Sequence, residues 1–118
     1  MRPCLFMPQI AIVILNWNGR HFLEKFLPGV VQHSKDLARI VVADNASTDD
    51  SLSYVEANFP EVAIIRLDQN YGFTGGYNRA LQQVQEPYYV LLNSDVEVSE
   101  GWITPLLQFM ENHPEVAA

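Results

Sequence analysis

The chain has 118 residues, of which 48% are hydrophobic and 18% are charged, and this composition excludes a disordered segment and a coiled coil. Fourteen acidic residues against seven basic ones give a formal charge of −7, which argues against a nucleic-acid partner because phosphate backbones are bound by clustered Lys and Arg. We therefore expect a single domain over residues 1–118, with no nucleic acid among its partners.

Four short apolar runs predict β-strands, and each is followed by a stretch of helical periodicity. The predicted strands are Ile10–Leu15, Arg39–Ala43, Val62–Leu67 and Tyr88–Leu92. The predicted helices contain the stripes Phe22–Val31, Leu52–Phe59, Tyr77–Val84 and Trp102–Met110. We expect Pro28 to break or kink the first helix. Nearly continuous apolar strands that alternate with helices predict an α/β fold, a doubly wound and mostly parallel sheet.

Polar, acidic and glycine residues follow each predicted strand. They form the segments Asn16–Gly19, Asp44–Asp50, Asn70–Asn78 and Asn93–Glu97. In doubly wound sheets, ligands bind at the carboxyl ends of the strands, near the switch in strand order. This edge of the sheet is therefore the candidate site.

The segment after the second strand carries two predictions. The Asp44 carboxylate could accept hydrogen bonds from a nucleobase or a ribose hydroxyl, although Asp also commonly opens a turn. Ser47 and Asp50 have the spacing of a capping box and predict the start of the second helix.

The segment after the fourth strand is acidic. If Asp95–Val98 is extended, Asp95 and Glu97 lie on one side, and two carboxylates on one side favour a cation between them. Oxygen ligands of this kind suit Mg²⁺ or Mn²⁺. The alternative is an acidic turn that leads into the last helix.

The segment Asn70–Asn78 contains three glycines, which would let the backbone approach a ligand, with a helix beginning near Gly75. A flexible turn or close helix–sheet packing is the alternative interpretation. The segment matches neither a dinucleotide fingerprint nor a phosphate-binding loop with Lys followed by Ser or Thr, which disfavours both classes. Trp17, after the first strand, could stack on a base or could simply pack.

Together these segments resemble a family 2 glycosyltransferase of the GT-A fold, specifically its N-terminal, nucleotide-sugar-binding half. The resemblance is carried by Ile12–Asn18, Val41–Asp49, Asn70–Asn78 and Leu91–Asp95. The Leu-Leu-Asn-Ser-Asp run is similar to the rhamnosyltransferase-like branch, in which Asn93 stands where the usual Asp-x-Asp has its first acidic residue.

The resemblance implies a donor site for a UDP- or dTDP-sugar with Mg²⁺ or Mn²⁺. In it, Trp17 packs on the nucleobase, Asp44 reads the base, and Asp95 binds the metal. The acidic spacing alone leaves Glu97 as a weaker metal candidate. The nucleotide-sugar-binding candidates are Asn16, Trp17, Asp44, Asn70, Gly75, Gly76, Asn78 and Asn93.

The resemblance also implies an inverting transfer of the sugar to a hydroxyl of a glycan or lipid-linked acceptor, as in polysaccharide synthesis. The family places the general base in its C-terminal half, so we expect this chain to bind the donor without turnover. Apolar surface at the end of the sheet predicts self-association into a homo-oligomer. A non-catalytic α/β nucleotide-binding or regulatory module is the main alternative. A nucleotidyltransferase ranks last, because Asn16–Arg20 is not rich in glycine.

The apolar start of the chain, Met1–Leu15, superficially resembles a signal peptide. Pro3 and Pro8 interrupt it, no small-residue cleavage site follows, and it is too short to span a membrane. We therefore predict a cytoplasmic location, with attachment to the inner face of the membrane as a further possibility.

Overall fold

A computed structural model describes residues 9–113, along which four strands and four helices alternate. The strands are β1 (Ile10–Asn16), β2 (Ala38–Asp44), β3 (Ala63–Arg66) and β4 (Tyr88–Asn93). The helices are α1 (Arg20–Ser34), α2 (Ser51–Asn58), α3 (Gly72–Leu81) and α4 (Ile103–Asn112). The predicted order of strands and helices is confirmed.

The four strands form one parallel sheet in the order β3-β2-β1-β4. The chain moves outward from β1 to β2 and β3, and then returns to place β4 on the other side of β1. The switch in strand order therefore lies between β1 and β4, and the fold is the predicted doubly wound α/β sheet.

Helices cover both faces of the central strand, which explains its unbroken apolar sequence. Ile12 faces the side that holds Leu23 of α1, whereas Val13 faces the side that holds Tyr77 of α3. Both β1 side chains are fully buried. Burying a side chain of this size contributes about 1.5–3 kcal/mol, so β1 anchors both layers of the core.

Helix α1 runs without interruption through Pro28, so the predicted break does not occur. Proline removes the hydrogen bond to the carbonyl of Glu24, four residues earlier. Both residues are exposed, so water can satisfy that carbonyl, while Leu23 and Leu27 hold the helix to the sheet.

None of the helices within residues 9–113 combines the length and apolar character needed to cross a membrane. Residues 1–8 of the apolar start, with Pro3 and Pro8, lie outside the described residues.

Candidate functional site

The carboxyl ends of β1, β2 and β4 meet at one edge of the sheet. The register pairs Asn16 with Asp44 and Leu15 with Asn93, so three neighbouring strands end almost level. Adjacent strands lie about 4.8 Å apart, which places the ends of β2 and β4 about 10 Å from each other on either side of β1. We call this edge the rim.

A buried hydrogen-bond network joins the ends of β1 and β2. The Asn16 amide donates to Asp44 Oδ1 over 2.9 Å, and the Ser47 hydroxyl donates to the same oxygen over 2.7 Å. The Ser47 N–H donates to Asp44 Oδ2 over 2.9 Å. Asp44 is only 3% exposed, and both of its oxygens accept hydrogen bonds from the protein itself. Base reading by Asp44 stays a prediction.

Asn16 is fully buried, and its Oδ1 has no hydrogen-bond partner among residues 9–113. Gly19 packs against this oxygen so closely that a Cβ built on the glycine would lie 2.6 Å from it. A side chain at position 19 would therefore displace Asn16. Glycine is needed at position 19 because its backbone lies so close to the Asn16 side chain.

The predicted capping box is wrong, because α2 begins at Ser51 rather than just after Ser47. Ser47 instead donates both its N–H and its hydroxyl to the Asp44 carboxylate, so the hydroxyl does not cap the helix. Asp50 flanks the helix, but its side chain makes no capping hydrogen bond. Its carboxylate pairs with Arg20 at 2.5 Å.

Arg20 and Asp49 tie the start of α1 to the start of α2. The Arg20 N–H donates to Asp49 Oδ2 over 3.2 Å, and the Arg20 guanidinium lies 4.4 Å from the centre of the Tyr54 ring. Partial burial raises the pKa of Asp49, but hydrogen bonds from Ser51 and from the Arg20 backbone outweigh it and hold that pKa below its ordinary value. Asp49 is thus a charged acceptor that organises two loops.

Two asparagines that carried no predicted role connect the rim loops. Asn18 adopts a φ of +50°, and its Oδ1 accepts hydrogen bonds from the N–H groups of Thr48 and Asp49. Asn45 is buried; its Oδ1 accepts from Tyr71 N–H and its amide donates to the Gly72 carbonyl. The only signal in the sequence is that Asn often bonds to nearby backbone groups.

Most of the glycine-rich segment is helical, because the helix begins three residues before the predicted start near Gly75. Helix α3 begins at Gly72, and Asn70 Oδ1 accepts from the Gly72 N–H over 2.7 Å. Gly76 is buried, and a Cβ there would lie 2.9 Å from both Asn45 and Leu15. Gly76 therefore serves close helix–sheet packing, the alternative interpretation.

The other candidates in this segment lie along α3. Gly75 is half-buried beside Tyr71, whereas Asn78 is exposed one turn further along. The N–H groups of Phe73 and Thr74 precede the hydrogen bonds inside the helix, and they have no partner among residues 9–113. These two donors are free to meet a ligand.

Two aromatic side chains are exposed at the rim. Trp17 follows β1 and is 56% exposed, and Phe73 lies in the first turn of α3 and is 64% exposed. Exposed aromatic faces offer stacking surfaces for bases or sugar rings. Trp17 is accessible, as a base-stacking residue must be.

The acidic segment leaves β4 after Asn93 and turns at Asp95. Asp95 and Glu97 are both exposed, while Val96 and Val98 pack on the core, as the predicted alternation requires. Asp95 forms no hydrogen bond or ion pair with residues 9–113. A free carboxylate at a strand end fits one ligand of a Mg²⁺ or Mn²⁺ ion whose other ligands are water and phosphate oxygens.

Glu97 lies apart from the rim loops. It lines a pocket with Lys25, Phe26 and His33 of α1. Among residues 9–113, no group of three His, Cys, Asp or Glu side chains is placed to hold a metal. Asp95 is therefore the stronger of the two metal candidates.

The sequence model of glycosyl transferase family 2 matches residues 11–118. The chain belongs to this family. Among curated relatives of this family 2 glycosyltransferase, a GalNAc(5)-diNAcBac-PP-undecaprenol beta-1,3-glucosyltransferase of Campylobacter jejuni is 32% identical over 107 residues, which cover 86% of this chain and 34% of the relative. The putative teichuronic acid biosynthesis glycosyltransferase TuaG of Bacillus subtilis is 26% identical over 106 residues, or 87% of this chain and 42% of the relative.

An N-acetylglucosaminyl-diphospho-decaprenol L-rhamnosyltransferase of Mycobacterium tuberculosis is 23% identical over 120 residues, covering 92% of this chain and 39% of the relative. It is one of several kinds of transferase that match, so the family is shown and the rhamnosyltransferase-like branch is not. This family 2 glycosyltransferase chain spans 34–42% of the length of these three relatives.

Solved structures share the fold. S. aureus TarS 1-349 in complex with UDP-GlcNAc gives a TM-score of 0.77 at 22% identity, covering 90% of this chain and 32% of that one. The mannosyltransferase PcManGT from Pyrobaculum calidifontis, in complex with GDP-Man and Mn²⁺, gives a TM-score of 0.75 at 20% identity. The match covers 87% of this chain and 32% of that one. The GT-A architecture of the family 2 glycosyltransferase chain is thereby confirmed.

Proposed function

We propose that the rim binds a nucleoside-diphosphate sugar, a UDP- or dTDP-sugar, together with Mg²⁺ or Mn²⁺. The carrying observation is that the ends of β1, β2 and β4 meet at the switch in strand order. Family membership makes glycosyl transfer the reaction that such a site serves.

The described residues have distinct parts in this proposal. Exposed Trp17 offers a face to the nucleobase, and the free N–H groups of Phe73 and Thr74 can donate to a phosphate oxygen. Asn93 is the last residue of β4, and Asp95 lies two residues beyond it, where it would hold the cation. A bound divalent cation would neutralise charge on the diphosphate, which matters beside a chain of net charge −7.

The sugar would pass with inversion to a hydroxyl of a glycan or lipid-linked acceptor. The names of three relatives mention a PP-undecaprenol-linked glycan, a diphospho-decaprenol-linked sugar and teichuronic acid biosynthesis, which supports this acceptor class. A general base must accept the proton of the hydroxyl. We expect these 118 residues alone to bind the donor without transferring the sugar.

The test is a calorimetric titration of the chain with UDP- and dTDP-sugars, with and without Mn²⁺. We expect binding that requires the metal and that Asp95→Ala abolishes, with a smaller loss for Glu97→Ala. Asp36→Ala is the matched control, because Asp36 is an exposed carboxylate just before β2, at the opposite edge of the sheet from the rim. Binding that does not depend on the metal, or a preference for ATP over the sugar nucleotides, would indicate a nucleotide-binding module instead. A radiolabelled transfer assay tests turnover.

A further inference from the structure

Tyr77 projects from α3 to the point where β1 and β4 end. Its hydroxyl donates to the carbonyl of Leu92 over 3.1 Å and lies 3.4 Å from the backbone nitrogen of Leu15. Leu15 belongs to β1 and Leu92 to β4, so one hydroxyl bridges both strands. This bridge sits at the switch in strand order, next to the last pair of the ladder.

The residues that follow the two bridged positions are both site candidates. Asn16 comes directly after Leu15, and Asn93 comes directly after Leu92. A change in how the two strand ends are held therefore moves these side chains without any direct contact to them.

The ring of Tyr77 also supports the start of α3. It meets the ring of Phe73 edge to face, with centroids 5.0 Å apart and an interplanar angle of 76°. Tyr77 is 4% exposed, so it forms the buried base under the exposed Phe73. One side chain thus contacts three parts of the rim: the ends of β1 and β4 and the first turn of α3.

We propose that Tyr77 is a positioning residue for the nucleotide-sugar site, where its hydroxyl sets the separation of Asn16 and Asn93. The inference rests on the proposed function for its effect on binding, but its effect on the strand ends does not. Without the hydroxyl, the Leu92 carbonyl loses a donor in a dry environment, and the strand ends must shift or admit water to recover it. Burial raises the pKa of Tyr77, which keeps the hydroxyl protonated and able to donate.

The experiment compares Tyr77→Phe with Tyr88→Phe. Tyr88 begins β4, at the end away from the rim, and its hydroxyl donates over 3.5 Å to the Met110 carbonyl. Each variant removes one hydroxyl and keeps the ring. We expect Tyr77→Phe to raise the Kd for a UDP- or dTDP-sugar with Mn²⁺ about fivefold, whereas Tyr88→Phe should leave the Kd unchanged.

Amide NMR spectra of the ligand-free variants separate this inference from the proposed function. We expect the amide signals of Leu15, Asn16 and Asn93 to shift in Tyr77→Phe and to stay in place in Tyr88→Phe. Unmoved signals at these positions, or an unchanged Kd in a chain that binds the donor, would overturn the inference. If the wild-type chain binds no sugar nucleotide while the signals shift, the proposed function fails and the positioning of the strand ends stands.

A measurement on the wild-type chain covers the case in which Tyr77→Phe does not fold. The bridge predicts a nuclear Overhauser contact between the Tyr77 ring protons next to the hydroxyl and the Leu15 amide. Absence of this contact would contradict the bridge.

Discussion

Asn16 and Asp44 stand opposite each other at the ends of β1 and β2, and the amide of the first donates a 2.9 Å hydrogen bond to the carboxylate of the second. Both residues are at least 97% buried. A buried carboxylate needs hydrogen-bond donors around it, and Asn16 and Ser47 supply them. The pair therefore fixes two strand ends of the rim to each other.

Asn16→Asp should strongly destabilise the chain, because it places a second carboxylate against Asp44 in a buried site. We expect the free energy of unfolding at neutral pH to fall by about 3–5 kcal/mol, as when a buried charge loses its partner. Denaturant unfolding measures it. The control is Asn78→Asp, the same change on the exposed side of α3, which should stay within about 0.5 kcal/mol of wild type. Equal unfolding midpoints for the two variants would contradict the buried pair.

Ala46→Gly should stabilise the chain. Ala46 has a φ of +63°, in the left-handed region that costs a residue with a Cβ about 1 kcal/mol and costs glycine little. We expect a gain of about 0.5–1 kcal/mol in the free energy of unfolding. Ala57→Gly, at an exposed position in the last turn of α2, should instead lose stability, by less than about 1 kcal/mol. A loss of stability in both variants would refute the strained turn.

Glu86→Gln should reduce the dependence of stability on acid pH. The Arg39 side chain donates to Glu86 over 2.6 and 3.2 Å and holds the pKa of Glu86 below its ordinary value. A lowered carboxyl pKa stabilises the folded chain above the unfolded pKa, and this stabilisation disappears as the pH falls through the folded pKa. We expect the variant to lose about 1 kcal/mol at pH 7 and to converge on wild type as the pH falls below the lowered pKa of Glu86.

Thermal unfolding between pH 7 and pH 3 follows this effect. Glu56→Gln is the matched control, because the Glu56–Arg66 pair has side chains that are 54% and 57% exposed and should change stability little. Parallel pH profiles for Glu86→Gln and wild type would show that the partly buried Arg39–Glu86 pair does not contribute.

The outer edge of β4 predicts self-association with a second copy of the chain. β4 has no partner on that side among residues 9–113, and Tyr89 and Leu91 are nearly half exposed on it. The opposite edge strand, β3, has four residues and ends in the charged Arg66, which protects it. A charged side chain should likewise protect β4.

Light scattering over a range of concentrations should therefore show a dimer that Leu91→Lys converts to a monomer. Leu37→Lys, an exposed site just before β2, should leave the dimer intact. A wild-type chain that is monomeric at every concentration would contradict the prediction.

The strands and their alternation with helices along the chain were predictable because strands such as β1, which is buried on both faces, leave an unbroken apolar run in the sequence. The start of α3 was not, because glycine is a poor helix former and the local sequence reads as a loop. The Asn70 side chain accepts the Gly72 N–H locally, and tertiary contacts add to this: Asn45 accepts the Tyr71 N–H, and Gly76 fits between Leu15 and Asn45.

The rim itself follows from the sequence, since Asn16, Asp44 and Asn93 each close a strand of a parallel sheet. The hydrogen bonds within the rim do not follow from the sequence. The capping box at Ser47 was predicted from local spacing alone, but Ser47 donates its N–H and hydroxyl to Asp44 instead. Tyr77 had the pattern of any apolar helix residue. Its hydroxyl partner Leu15 lies 62 residues away in the chain, a distance that no local pattern encodes.

The pairing of Ile10 with Tyr88 has a consequence for how the molecule assembles. Strands β1 and β2 are joined through α1 alone, so the Asn16–Asp44 contact can form early, while a nascent chain is still being synthesised. Strand β4 pairs with β1 only after α1, β2, α2, β3 and α3 have been made, and closing this longer stretch of chain has a greater entropic cost. The proposed sugar nucleotide would contact the ends of both β1 and β4, so it would bind only after the whole sheet has formed.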